Sequence, residues 1–330
     1  MRSCGIACRT DRVRNNSDFG NTFFGLLCGL AAAAIWGGGS VVSRHLVTSG
    51  LGPADLTLLR YAGCFPVAVV ALLLMGNRIW LGVSWPRLVV LVILGGPLYH
   101  VIVIAGYRYT SAGGGALLMS GLLPLFALAL HWVIKSTTPP RTKVVGALLV
   151  LAGLGWFGLE IGSAVSLTGV ILFAIAALAW AVLNELVRAW QVDPLRLTVL
   201  LALFAPAFAP LYFFTESGNP LASPPEDLLL QIAYHGLLVA IGATALFFLA
   251  VRLAGAEIAA VLQSTSPGFA AILGAAFLGE PLLPAQLGSL MLVTFGVFVS
   301  ISDSTPNLLG RWQVKLPLQP RLDRWTSSRA

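Results

Sequence analysis

Arg60 is the residue whose position most demands a chemical reason, because it lies inside the apolar run Ala54–Met75. A positive charge at the centre of a membrane span costs about 2.5–3.5 kcal/mol on insertion scales. Such a guanidinium either lines a water-filled cavity, where its forked donors suit a carboxylate or another anion, or snorkels to the headgroups. Tyr99 and His100 interrupt another apolar run directly after Gly95-Gly96-Pro97. That cluster breaks a helix and frees backbone groups for a ligand, and His100 has the residue type to gate a proton or to serve as a buried, hydrogen-bonded strut. Gln263, Ser264 and Pro267 form the most polar stretch of a further run, and Ser120, with Pro124 nearby, holds the matching place earlier in the chain. Proline leaves a carbonyl without its donor, so both runs are expected to bend there and to wall a cavity. The alternative is hydroxyl packing between helices.

Trp36, beside Gly37, and Trp180 supply rings able to stack on a substrate or to sit in an interfacial belt. Asn184 and Glu185 follow Trp180, and Glu185 is the acid set deepest in an apolar run. It is either a proton-coupling group alongside His100 or the structural partner of Arg188.

Other chemistry is poorly supplied. Cys4, Cys8, Cys28 and Cys64 lack the paired Cys/His spacing of a zinc site, and no metal or cofactor is expected. Gly153-Leu154-Gly155-Trp156-Phe157-Gly158 has the glycine spacing of a dinucleotide loop, but it lies in an apolar run with no strand before it. Lys135, Lys143 and Lys315 lack a phosphate-loop glycine frame, so this chain does not drive itself with ATP.

The elements that hold these residues follow from composition. Of 330 residues, 57% are apolar and 10% charged, with a mean hydropathy of +0.87. Soluble domains carry charge at about a quarter of positions, so this chain needs lipid as its solvent. Ten apolar runs stand out: Asn21–Val42, Ala54–Met75, Leu88–Tyr107, Ala112–Val133, Lys143–Leu159, Leu167–Val187, Leu195–Phe214, Leu228–Val251, Ala256–Leu278 and Pro284–Ile301. Each is about as long as a helix needs to cross hydrocarbon. The expected fold is an all-α integral membrane protein with ten transmembrane helices. Residues 1–20 and 303–330 are read as tails, and no cleavable signal peptide is expected.

With the N-terminus in the cytoplasm, 17 of the 20 basic residues fall on the inner side, leaving Arg44 and Arg108 outside and Arg60 within a span. This bias orients both tails toward the cytoplasm. The net charge of +7 is therefore a topology signal and not a nucleic-acid footprint.

The chain also repeats itself. Trp36 corresponds to Trp180 and Tyr107-Arg108 to Val251-Arg252 at an offset of 144, Pro124 to Pro267 at 143, and Gly146 to Gly288 at 142. The halves are residues 21–159 and 160–302. With five spans each, the second half enters the membrane upside down. Inverted repeats of this kind place a substrate site near the midplane between them.

Ala34-Ile35-Trp36-Gly37, Leu59-Arg60-Tyr61, Tyr107-Arg108-Tyr109-Thr110-Ser111-Ala112 with Pro124, and Gly255-Ala256 through Pro267 to Leu278-Gly279-Glu280-Pro281 together resemble the EamA-type members of the drug/metabolite transporter superfamily. The resemblance spans residues 22–302 and implies a carrier of the bacterial inner membrane. It moves a small amino acid-like or amphipathic metabolite, as efflux, by alternating access. One departure concerns Glu280, whose counterpart after the fourth span is absent, since Val133-Ile134-Lys135 stands there. The expected partners are the substrate and the lipid bilayer, with the protein a monomer or a homodimer. Two other readings are an intramembrane serine hydrolase built on Ser120 with His100 or His131, and a channel or scaffold. The hydrolase lacks its Gly-x-Ser-Gly frame, and the channel lacks a charged ring.

Overall fold

A computed structural model of the chain describes residues 4–80, 82–135, 140–161, 166–212, 223–282 and 284–301. Every regular element among them is helical. The first half contains α1 (Cys4–Thr48), α2 (Pro53–Met75), α3 (Trp85–Gly95), α4 (Pro97–Gly106), α5 (Ala112–Lys135) and α6 (Arg141–Ile161). The second contains α7 (Leu167–Ala189), α8 (Pro194–Leu203), α9 (Ala209–Tyr212), α10 (Pro225–Gln231), a π-helical segment (Ile232–Ala243), α11 (Thr244–Ala254), α12 (Ala256–Gln263), α13 (Ser266–Leu278) and α14 (Pro284–Ile301).

Among the described residues, eight helical stretches are long and apolar enough to cross a membrane: Asn21–Thr48, Pro53–Met75, Trp85–Gly106, Ala112–Ile134, Arg141–Gly158, Leu167–Ala189, Pro225–Ala254 and Ile258–Leu278. Two shorter apolar helices, Pro194–Leu203 and Gln286–Ser300, accompany them. Large apolar side chains such as Leu73, Leu74, Phe277 and Met291 are turned outward, as a hydrocarbon solvent requires. The chain is a multi-pass helical membrane protein.

The differences from expectation have local causes. The run read as Leu195–Phe214 is interrupted: α8 ends at Leu203, a 3-10 turn follows at Ala205–Phe208, and the four-residue α9 comes after it. Pro206 has no N–H to continue the α-helical ladder. The last residues of that run, and the tail 303–330, lie outside the described residues. At the other end, α1 extends back to Cys4 through the stretch read as a tail. Pro124 leaves α5 a continuous helix, whereas the ninth run breaks at Ser264-Thr265. There the Ser264 and Thr265 hydroxyls donate to the carbonyls of Val261 and Leu262, competing with the helical amides. Thr294 Oγ1 donates to the freed Ser264 carbonyl at 3.3 Å. Gly96 divides α3 from α4, as the Gly-Gly-Pro cluster predicts.

Small residues set which helices meet. Gly25 and Gly29 on α1 face Ala254 and Leu262, so the G-x-x-x-G frame is used inside the chain to seat α1 on α11 and α12. The α1 helix also packs on α13, α7 on α4 and α5, α6 on α14, and α2 on α8 and the π segment. One close crossing is that of α2 over the π segment. A Cβ on Gly236 would lie 2.7 Å from Gly63 Cα and 2.8 Å from the Arg60 carbonyl oxygen. Those are backbone atoms that cannot rotate away. Gly236→Leu should therefore cost at least the ~1–3 kcal/mol of an overpacked core, seen as a lower melting temperature in detergent. Gly242→Ala, whose Cβ would meet only the Leu238 side chain at 3.2 Å, is the control and should melt as the parent does.

Candidate functional site

Two helix irregularities bring polar side chains to the middle of the bundle. The break at Gly96 starts α4 afresh, so that Tyr99 and His100 fall in its first turns beside α2 and α7. The π-helical turn of Ile232–Ala243 carries Tyr234 and His235 toward α1. Segments of this kind recur at functional sites because the wider turn re-aims its side chains.

His100 Nδ1 lies 3.0 Å from the Gly96 carbonyl oxygen and 3.1 Å from Tyr61 Oη. A carbonyl can only accept, so Nδ1 carries the proton and Nε2 is left as an acceptor. The imidazole is clamped edge-on between Tyr61 and Tyr99, with ring centres 5.6 and 5.0 Å apart. Tyr99 in turn lies on Trp180 at 4.8 Å. Across the bundle, Ser43 Oγ and His235 Nε2 are 3.2 Å apart, and Tyr234 Oη donates to the Ile35 carbonyl at 3.1 Å. The Nδ1 atom of His235 is buried with no hydrogen-bond partner among the described residues. Trp36 packs on Phe247 at 5.5 Å.

Arg60 is half-buried and within electrostatic reach of Tyr61, Tyr99, His100 and His235. Among the described residues it forms no ion pair, while Arg44, Arg188 and Arg196 each have a carboxylate. The arrangement is a cation within electrostatic reach of tyrosine and histidine side chains. It suits a ligand with a negative or zwitterionic head.

One end of the bundle is closed by a charged lattice. Arg44 at the top of α1 donates to the Tyr107 carbonyl at 2.6 Å and lies 3.5 Å from Glu280. Both Glu280 oxygens accept from the amide of Ala112, the first residue of α5, at 3.1 and 3.0 Å. The Tyr107 hydroxyl donates to Ser40 at 2.8 Å, and His45 sits 3.8 Å from Asp227. Glu280 thus caps a helix other than its own. Burial lifts its carboxyl above the ordinary value, opposed by the Ala112 amide and by Arg44. At the other end, Glu185 pairs with Arg188, and Arg87 stacks over Trp190 at 5.2 Å.

Of the residues singled out from sequence, Arg60, Tyr99, His100 and Trp180 come together. Gly37 is packed against Ser266, Phe269 and Ala270 of α13. Pro267 is buried at the start of α13, and Ser264 marks the break before it. Ser120 is half-buried on α5, while Asn184 and Gln263 are exposed. Sequence reasoning passed over Ser43, Tyr234 and His235, and took Tyr61 only as part of a motif. It also passed over two fully buried polar groups at the head of α2. Asp55 Oδ2 accepts from the Gly52 amide at 2.9 Å, and Gln231 Nε2 donates to the Leu56 carbonyl at 2.7 Å. The Asp55 Oδ1 and Gln231 Oε1 atoms have no partner among the described residues. His235, a lone imidazole in an apolar run, carried the same signal as His100.

A cavity of about 250 Å³ opens between α2, α4 and the segment Ala205–Ala209, with the Tyr61 ring in its wall. Among the described residues no three His, Cys, Asp or Glu side chains are placed to hold a metal.

Residues 23–159 and again 167–302 match the profile of the EamA-like transporter family. An uncharacterized protein of Pseudomonas aeruginosa is 32% identical over 220 residues, covering 66% of this chain and 69% of that one. An uncharacterized transporter of Archaeoglobus fulgidus is 24% identical over 256 residues, covering 76% and 89%. A crystal structure superposes with a TM-score of 0.58 at 18% identity, over 84% of this chain and 96% of that one, a likeness of fold.

Proposed function

Because the chain belongs to the EamA-like transporter family of the drug/metabolite transporter superfamily, we propose that it is a secondary carrier exporting an amino acid-like or amphipathic metabolite across the bacterial cytoplasmic membrane. It works by alternating access between two inverted halves of five helices, with both termini in the cytoplasm. The tandem family match supports two copies, and an odd number of spans in each inverts the second. The packing pattern supports the same reading. Exchanging α1 with α7, α2 with α8, α3–α4 with the π segment and α11, α5 with α12–α13, and α6 with α14 turns each helix pairing described above into itself or into another that is also present. The two tryptophan stacks, Trp36 on Phe247 and Trp180 on Tyr99, exchange in the same way.

The observation that carries the reading is Arg60, a half-buried cation without a carboxylate among the described residues and within electrostatic reach of Tyr61, Tyr99 and His100. A charge kept there at a cost in stability has a purpose if an incoming anionic group completes it. Substrate binding then favours whichever state closes these side chains around the head group, and only that difference in affinity between states drives the cycle. The hydrolase reading finds less support. Ser43 and His235 form a Ser–His contact, but no carboxylate among the described residues orients that imidazole at Nδ1, as a nucleophile's base requires.

Purified protein in proteoliposomes, offered radiolabelled amino acids, organic acids and amphipathic cations, should show saturable flux for members carrying a carboxylate. Absence of flux across the whole panel would overturn the proposal.

A further inference from the structure

The apolar cavity beside α2 has a wall, a mouth and an inner end that together specify a ligand. Its wall is hydrocarbon, from Leu58, Ala62, Pro97 and Pro206 among others. Leu58, Ala62 and Pro206 are also exposed at the surface of the bundle, and Leu58 and Ala62 belong to the apolar span Pro53–Met75, which places the mouth to open on the bilayer. The inner end is Tyr61, 7% exposed, whose hydroxyl meets His100. Arg60 immediately precedes Tyr61 on the same helix and lies within electrostatic reach of that hydroxyl.

We infer that this cavity is a binding site for the apolar tail of an amphipathic carboxylate, entered from the membrane, with the head group passing Tyr61 to Arg60. The inference rests on the carrier reading only in taking the Arg60 cluster as the substrate site. Tyr61 then acts as the partition between tail and head, and its hydrogen bond to His100 holds the partition shut when the site is empty. The volume sets the tail length. At the ~30 Å³ that one water-sized group occupies in a liquid, 250 Å³ holds roughly eight such groups. A bilayer imposes no such ceiling, because partitioning rises with every methylene. A length limit therefore separates a site from simple solution in lipid.

Binding of straight-chain carboxylates from butyrate to dodecanoate, and of the matching primary alcohols, is measured on the full chain in nanodiscs by thermal shift and by competition. Apparent affinity, referred to the ligand dissolved in the bilayer, should climb to about eight carbons, where the tail fills the cavity, and then level, because further methylenes lie in lipid whether or not the ligand is bound. Carboxylates should bind at least roughly tenfold tighter than alcohols of equal length, and Arg60→Gln should erase that difference. Ala62→Trp should move the length limit to shorter chains by several carbons. Ala205→Leu, on the opposite wall, should do the same if the tryptophan variant fails to fold. Affinity rising without limit to dodecanoate, or a limit unmoved by a folded wall variant, overturns the inference. So does equal binding of carboxylates and alcohols. The outcomes are separable from those of the flux assay. Length-limited binding with no flux for any compound sinks the carrier reading alone, and flux of short zwitterions without length-limited binding sinks this inference alone.

Discussion

Arg60→Gln is expected to weaken the apparent affinity for a transported anion or zwitterion by about 10- to 150-fold and to leave the protein as stable as before, or more so. The size of the loss follows from the ~1.5–3 kcal/mol that a hydrogen bond to a charged group contributes. The stability follows from what the arginine leaves behind. Removing one member of a buried ion pair strands the other, but Arg60 has no such member among the described residues, so its removal orphans nothing. A structural arginine behaves in the opposite way. Arg44→Gln would leave Glu280 without its cation and should lower the melting temperature. Flux kinetics and melting curves of the two variants, taken together, decide the matter. If Arg60→Gln melts earlier and transports with unchanged affinity, the residue is an anchor and not a receptor. Arg60→Lys should recover part of the affinity, because the ammonium keeps the charge but not the fork.

The second large effect is expected at the charged lattice. Glu280→Ala should open that end of the bundle, because it removes at once the cap on α5 and the main partner of Arg44. The pair is partly exposed, with side chains 26% and 16% accessible. Its contribution therefore falls between the ~0–1 kcal/mol of a surface pair and the ~3–5 kcal/mol cost of breaking a buried one. A shift of ~1–3 kcal/mol changes an opening equilibrium by about 5- to 150-fold. The readout is the labelling rate of a Ser43→Cys variant, buried just beneath the lattice, by a membrane-impermeant maleimide in a background without other cysteines. An unchanged rate would show that the lattice does not hold the bundle shut.

The same site gives a pH dependence whose sign is opposite to the simple picture of an ion pair broken by acid. Burial is the largest influence on Glu280 and raises its carboxyl above the ordinary value, against the pull of Ala112 and Arg44. The closed arrangement thus binds a proton more tightly than an opened, hydrated glutamate does. Lowering the pH toward the ordinary ~4.3 should slow Ser43→Cys labelling by more than the loss of thiolate slows an exposed cysteine, and Glu280→Ala should lose that excess.

Much of this architecture was legible in the residue pattern, and the parts that were not share a physical cause. Apolar runs betray spans because hydrocarbon tolerates little else, so the runs at Ala54–Met75 and Leu167–Val187 anticipate α2 and α7 to within two residues at each end. The run holding α8 misled because apolar composition continues through Pro206 while the hydrogen-bond ladder does not. Arg60, His100 and Trp180 announced themselves by being expensive or conspicuous in lipid. The Ser43–His235 contact did not, since it joins residues 192 positions apart and no local spacing encodes it. The π-helical turn that aims His235 is equally silent. Ile232–Ala243 is apolar nearly throughout, and a uniform stretch has no periodicity from which a change of helical pitch could be read.

The crossing of α2 over the π segment has a mechanical consequence. Where Gly63 and Gly236 bring two backbones into contact with no side chain between them, the helices can roll on one another but not come closer, which makes the crossing a fulcrum. Lengths along α2 are then lever arms. Arg60 is three residues from Gly63 and Pro53 is ten, roughly 4.5 and 15 Å at the rise of an α-helix. A rocking of ~10° about that point carries Pro53, near the lattice end, through about 2.6 Å and Arg60 through less than about 1 Å. Under such a rocking the end of the helix would swing while the Arg60 charge stayed almost where it was.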